Sequence, residues 1–69
     1  MNAKEEQAST PYAFAEDLII HIENLNGQVA QISDCQGRIL GSTSNGFQVS
    51  GAGLYIVTSN GFKTKVLVK

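Results

Sequence analysis

Two side chains could serve as the nucleophile or base of a catalytic mechanism, because the sequence has a single histidine and a single cysteine. His21 lies between two isoleucines, which predicts an exposed strand residue beside Glu23 rather than a general base. Cys35 follows Asp34 in a predicted turn, where a neighbouring carboxylate disfavours the thiolate that a reactive cysteine needs. The sequence therefore predicts no catalytic residue and no enzyme activity.

The carboxylates and glycines give no motif for a cofactor or a metal. Glu16 and Asp17 are adjacent, so in a strand they point to opposite faces and do not form an acid pair across a cleft. A calcium loop would need an Asp-x-Asp-x-Asp run with a closing glutamate, and the sequence has none. The Gly51-Ala52-Gly53 segment precedes a predicted strand, whereas a phosphate loop opens a helix. We expect no cofactor and no metal site.

Three lysines near the C-terminus share one face of the last predicted strand: Lys63, Lys65 and Lys69. A nucleic-acid-binding barrel of this size would place aromatic side chains among such lysines, and the chain has no aromatic-Gly-aromatic run. The formal net charge is −1, which provides no basic field for a polyanion. We therefore expect a solvated strand face and no nucleic-acid partner.

Regularly spaced turn signals position these side chains. Asn26-Gly27, Asn45-Gly46 and Asn60-Gly61 are strong two-residue hairpin signals, and two further breaks lie at residues 34–37 and 51–53. Turns spaced by about 8 to 10 residues are typical of an antiparallel sandwich or barrel. The predicted strands cover residues 12–14, 18–23, 28–34, 38–42, 47–50, 54–59 and 62–68.

Alternation of side chains predicts which faces are buried. Phe62, Val66 and Val68 fall on one side of the last strand and its lysines on the other. Residues 54–57 are apolar on both sides, which predicts a strand covered on both faces with Ile56 in the core.

A chain of 69 residues forms at most one domain and has little room for a deep cleft. We expect a flexible N-terminal tail over residues 1–11 and one all-β domain over residues 12–69, a small antiparallel sandwich of six to seven short strands. No signal peptide is expected, since the first ten residues are polar, and no apolar run is long enough for a membrane span.

Three features follow one another along the chain. The first is Ala15-Glu16-Asp17, which is followed by an Ile-rich strand. The second is Val29-Ala30-Gln31-Ile32-Ser33-Asp34 followed by Cys35-Gln36-Gly37-Arg38-Ile39-Leu40, an apolar strand that ends in Asp and leads into Gly-Arg-apolar. The third is Gly53-Leu54-Tyr55-Ile56-Val57, followed after a short turn by the lysine-bearing terminal strand. In their order and spacing these features resemble the C-terminal sorting domains of the type IX secretion system of Bacteroidetes, over about residues 14–69.

The resemblance implies an immunoglobulin-like β-sandwich that is the C-terminal module of a larger secreted protein. Such a domain is recognised by the outer-membrane translocon and directs its cargo through the periplasm to the cell surface. The residues that match the family's motifs are Asp34, Gly37, Arg38, Gly53, Tyr55, Lys63, Lys65 and Lys69.

A second interpretation is an accessory sandwich that binds a glycan or a protein partner. It would need an aromatic platform or an unpaired edge strand. Open edges could also allow a weak homodimer by edge-strand pairing. Under either interpretation we expect no membrane insertion.

Overall fold

The computed structural model of the protein describes residues 10–69, so most of the predicted N-terminal tail lies outside the described residues. Seven strands follow: β1 (Tyr12–Glu16), β2 (Ile19–Glu23), β3 (Ala30–Asp34), β4 (Ile39–Thr43), β5 (Gly46–Gln48), β6 (Gly53–Ser59) and β7 (Phe62–Val68). The described part of the chain contains no helix, and hence none that could span a membrane.

The strands form two antiparallel sheets that pack face to face. The three-stranded sheet has the order β1-β2-β5, and the four-stranded sheet has the order β4-β3-β6-β7. Along one side of the sandwich β1 packs against β7, and along the other β4 lies near β5. This confirms the predicted fold class, a small all-β antiparallel sandwich.

Hairpins join β1 to β2, β3 to β4 and β6 to β7. The first of these was not predicted. Asp17 and Leu18 link β1 to β2 with positive φ at both positions (56° and 65°), as a type I′ turn requires. The sequence analysis placed Leu18 in a strand, because leucine rarely adopts this conformation. The predicted hairpin at Asn60-Gly61 joins β6 to β7, with positive φ at Gly61 alone.

The other two Asn-Gly pairs do not form hairpins between paired strands. Asn26 and Gly27 have positive φ (56° and 82°) and reverse the chain, but they connect β2 and β3, which belong to different sheets. Gly46 lies in β5 rather than in a turn, and the chain crosses between sheets just before it. The predicted chain reversal is confirmed at Asn26-Gly27 and is wrong at Asn45-Gly46.

The core consists of side chains that point between the sheets. The most deeply buried are Ile20, Ile32, Val57 and Val68. Ile56 is only half-buried because it points to the outer face of the four-stranded sheet, so its predicted place in the core is wrong. β6 is a central strand, as expected, but it is covered on one face only.

Candidate functional site

The matched Asp-x-x-Gly-Arg motif forms the loop between β3 and β4. Asp34 Oδ1 accepts hydrogen bonds from the backbone amides of Gln36 and Arg38, both at 2.9 Å. Asp34 Oδ2 accepts a third from Arg38 Nε, also at 2.9 Å. Gly37 adopts φ 91°, a conformation that favours glycine, and its amide donates to the Asp34 carbonyl. The Asp-x-x-Gly-Arg pattern is thus sufficient to build this loop.

The hydrogen bonds to Asp34 favour its ionised form. The Arg38 amide is the largest influence that holds the pKa of Asp34 below its ordinary value of 3.8. Burial opposes this shift, while the Arg38 guanidinium and the Gln36 amide reinforce it. The Arg38 side chain itself remains 76 % exposed, so its donors face solvent as well as Asp34.

The matched motif that begins at Gly53 contains residues that shape the start of β6 and lysines that lie on the surface. Tyr55 is buried, and its hydroxyl donates to the Gly51 carbonyl four residues upstream at 2.7 Å. This is the arrangement of the tyrosine corner found in immunoglobulin-like sandwiches. Gly53 begins β6 with φ 153°, and the Tyr55 ring is the nearest group to the position a Cβ would take there. Both residues shape the entry to β6.

The lysines of the same motif occupy the outer side of β7. Lys63, Lys65 and Lys69 are exposed, as the alternation along the strand predicted. Leu67 stands between them and is 59 % exposed, and its cross-strand partner Leu54 is 38 % exposed. We call these three lysines together with Leu54, Ile56 and Leu67 the lysine face. It presents aliphatic surface surrounded by ammonium groups.

The structure does not bring all the predicted site residues together. Arg38 lies just before β4, at the opposite edge of the four-stranded sheet from β7. Three inter-strand spacings separate these edges, or about 14 Å. Among the eight matched residues, Asp34, Gly37, Gly53 and Tyr55 are accounted for by local structure. The three lysines and the exposed guanidinium of Arg38 remain available to a partner.

The outer face of the three-stranded sheet carries a row of rings that the sequence analysis did not identify. Phe14 stacks on Tyr12 (ring centroids 6.2 Å apart) and on His21 (5.1 Å, with ring planes 15° apart). Period-two alternation could have placed Tyr12 and Phe14 on one face. The pairing of Phe14 with His21, however, depends on the Asp17–Leu18 turn, for which the sequence carries no glycine signal.

Two surface cavities lie over the described residues, and both are open to solvent. A crevice of about 220 Å³ lies where the ends of β1 and β7 meet, beside Glu16, Asp17 and Lys69. A depression of about 510 Å³ lies over β2 and β5 beside His21. No group of three metal-ligating side chains occurs within residues 10–69, and Cys35 is an exposed turn residue.

Charges are segregated between the two sheets. Among residues 10–69 every lysine and arginine belongs to the four-stranded sheet or its ends, whereas Glu16, Asp17 and Glu23 belong to the three-stranded sheet and its hairpin. Although the net charge is near zero, the four-stranded sheet is therefore cationic and the three-stranded sheet acidic.

Comparison of the chain with protein families, with curated proteins and with solved structures gives no match.

Proposed function

We propose that this domain is a non-catalytic sorting module of the type IX secretion system. It would direct a larger cargo protein through the outer-membrane translocon to the cell surface, with the secretion machinery as its direct partner. The proposal rests on the resemblance of the three features quoted above, which follow one another from β1 to β7. The fold agrees with it, since an immunoglobulin-like sandwich is what that resemblance implies.

The observation that carries the proposal is the lysine face. Its ammonium groups lie on an edge strand, with exposed leucines between them. An aliphatic centre with a charged rim is the composition typical of transient protein interfaces. The remaining matched residues, such as Asp34 and Tyr55, contribute indirectly by holding the loops of this sheet in place.

Secretion of a reporter tests the proposal. Residues 11–69 are fused behind a periplasmic reporter in a bacterium that has the type IX system, and reporter is measured at the cell surface and in the periplasm. We expect the fusion to reach the surface. A reporter that stays in the periplasm, while the fused domain is folded, would contradict the sorting function.

Matched charge variants locate the recognition surface. In the triple variant Lys63→Gln, Lys65→Gln, Lys69→Gln we expect surface reporter to fall at least about tenfold, the effect of losing 1.4 kcal/mol of binding. The matching triple substitution to arginine keeps the charges and should preserve export. Equal export by the glutamine and arginine variants would exclude the lysine face as the recognition surface.

A further inference from the structure

A row of three aligned positions crosses the three-stranded sheet and ends in a glycine. Phe14 pairs with His21, and His21 pairs with Gly46 on the edge strand β5. Phe47 packs against the core, so its neighbour Gly46 belongs to the outer face of the sheet. The row therefore consists of a phenyl ring, an imidazole and a position without a side chain.

One face of the His21 ring is open as a result. The ring planes are 15° apart and the centroids 5.1 Å apart, which is the geometry of an offset stack, so the phenyl ring lies against the side of the imidazole that is turned towards β1. The opposite side is turned towards β5, where Gly46 has no side chain and the nearest side-chain atom, Ile19 Cγ2, lies 3.8 Å from the position a Cβ would take. We call this space the Gly46 notch.

The surroundings of the notch favour a cation. Glu23 is the next outward residue on β2 and is exposed, and the amide side chains of Asn45 and Gln48 line the same depression. No lysine or arginine within residues 10–69 lies on this sheet. A positive group bound here would meet carboxylate and amide oxygens and no competing charge.

We propose that the Gly46 notch binds an arginine side chain of a partner polypeptide. The guanidinium stacks on the open face of His21, above Gly46, and donates hydrogen bonds to Glu23. A guanidinium is planar and about one ring thick, so it satisfies both the stacking face and the carboxylate. A lysine ammonium cannot stack in this way, and a neutral ring makes no use of the carboxylate.

A ligand reaches the notch from the outer face of the sheet. The Thr43 hydroxyl is hydrogen-bonded to both the amide and the carbonyl of Gly46, so a partner polypeptide inserts a single side chain above Gly46 rather than pairing with the edge of β5 there. The inference does not depend on the sorting function, since the lysine face lies on the other sheet.

Nuclear magnetic resonance titration of the full chain tests this inference. The probe is the peptide acetyl-Gly-Arg-Gly-amide, and the comparison peptide carries lysine in place of arginine. We expect saturable shifts of the His21 ring and the Gly46 amide with the arginine peptide. Binding of the lysine peptide should be about two- to fivefold weaker, the factor that stacking contributes at an exposed site.

Three variants separate the contribution of the space above Gly46 from that of the Glu23 carboxylate and from that of a carboxylate elsewhere on the sheet. Gly46→Val fills the notch and should abolish the shifts at His21. It should fold, because a Cβ at Gly46 meets no atom nearer than 3.5 Å. Glu23→Gln should weaken binding about two- to fivefold. Glu16→Gln makes the same charge change on β1, two strands or about 10 Å from the strand that carries Gly46, and should leave the affinity unchanged.

Several outcomes would overturn the inference. One is equal affinity for the arginine and lysine peptides, and another is undiminished arginine binding by a folded Gly46→Val variant. If that variant does not fold, Gly46→Ala takes its place and must weaken binding. Tighter binding of a tryptophan peptide or of cellohexaose at the same residues would show that the notch takes an aromatic side chain or a glycan instead.

Discussion

Asp34 shows how one side chain can define a loop. A single carboxylate accepts three hydrogen bonds, two from backbone amides and one from the Arg38 guanidinium. These donors stabilise the ionised form, so the geometry of the β3–β4 loop depends on the charge of Asp34. The Asp-x-x-Gly-Arg pattern therefore has a structural explanation in this loop that is independent of any sorting function.

The stability contributed by Asp34 should depend on pH. Since its pKa is lowered in the folded state, the contribution is complete above the ordinary value of 3.8 and is lost as the pH falls through the folded pKa. We expect Asp34→Asn to lower the thermal midpoint at pH 7, and the gap from the parent protein to narrow below about pH 3.8. Calorimetry over this range measures the gap.

Asp17→Asn is the control for this experiment. Asparagine is accepted at the positive φ of residue 17, and this turn carboxylate makes none of the hydrogen bonds seen at Asp34. Its midpoint at pH 7 should stay close to that of the parent. A gap for Asp34→Asn that is independent of pH would show that the loop does not depend on the ionised carboxylate.

The hydroxyl of Tyr55 should stabilise the entry to β6. Tyr55→Phe removes its hydrogen bond to the Gly51 carbonyl and should lower the free energy of unfolding by about 1 kcal/mol. Urea denaturation measures this change. Tyr12→Phe, at a ring that is 53 % exposed, should change stability by less than about 0.5 kcal/mol. Equal effects of the two substitutions would contradict a stabilising tyrosine corner.

At the scale of the element, strand positions were largely predictable, whereas strand partners were predictable only for the β6–β7 hairpin. β7 was predicted residue for residue, because its alternation of apolar side chains with lysines has a period of two. Which strands share a sheet depends instead on how both faces of the sandwich are covered. An Asn-Gly pair indicates that the chain reverses, but it does not indicate which strands pair. Asn26-Gly27 would therefore give the same sequence signal whether it joined two paired strands or connected two sheets.

The two neighbours at the centre of β6 should differ in their contribution to stability. Val57 is fully buried, whereas Ile56 is half-buried on the outer face. We expect Val57→Ala to cost about 2 kcal/mol and Ile56→Ala about half as much. Urea denaturation of both variants tests the order of the costs. A larger cost at Ile56 would show that the outer face is covered in solution.

Contact between β4 and β5 should make one glycine irreplaceable. A Cβ at Gly41 would lie 2.6 Å from a ring carbon of Phe47, so Gly41→Ala should cost about 1–3 kcal/mol. Gly46→Ala meets nothing closer than 3.5 Å and should be neutral or stabilising by about 0.5 kcal/mol. Thermal denaturation compares the pair, and equal midpoints would mean that Phe47 moves aside without cost.

One part of the candidate site, the lysine face, was also predictable from the alternation of side chains along β7. Period-two alternation was enough to place Lys63 and Lys65 together on a solvated face. The stack of Phe14 on His21 was not predictable, because it depends on the register set by a turn that contains leucine at positive φ. Side chains brought together by a strained turn leave little trace in the sequence pattern.

At the scale of the whole molecule, the two sheets have different electrostatic properties. The lysine face belongs to one sheet, and the aromatic row and the Gly46 notch belong to the other. If both proposed surfaces bind partners, the two partners would lie on opposite faces of the sandwich and would not compete for the same residues. In this arrangement, binding at one face changes affinity at the other only if the intervening core transmits a change.

The last strand supplies two of the buried side chains, Val66 and Val68, and it is also an edge of the four-stranded sheet. A polypeptide that emerges amino end first, from a ribosome or through a translocation pore, exposes β1 to β6 before β7 can dock. Until then the apolar interior stays open to water and to chaperones. Completion of the sandwich therefore waits for β7 to emerge, so the release of this strand sets when the domain can fold.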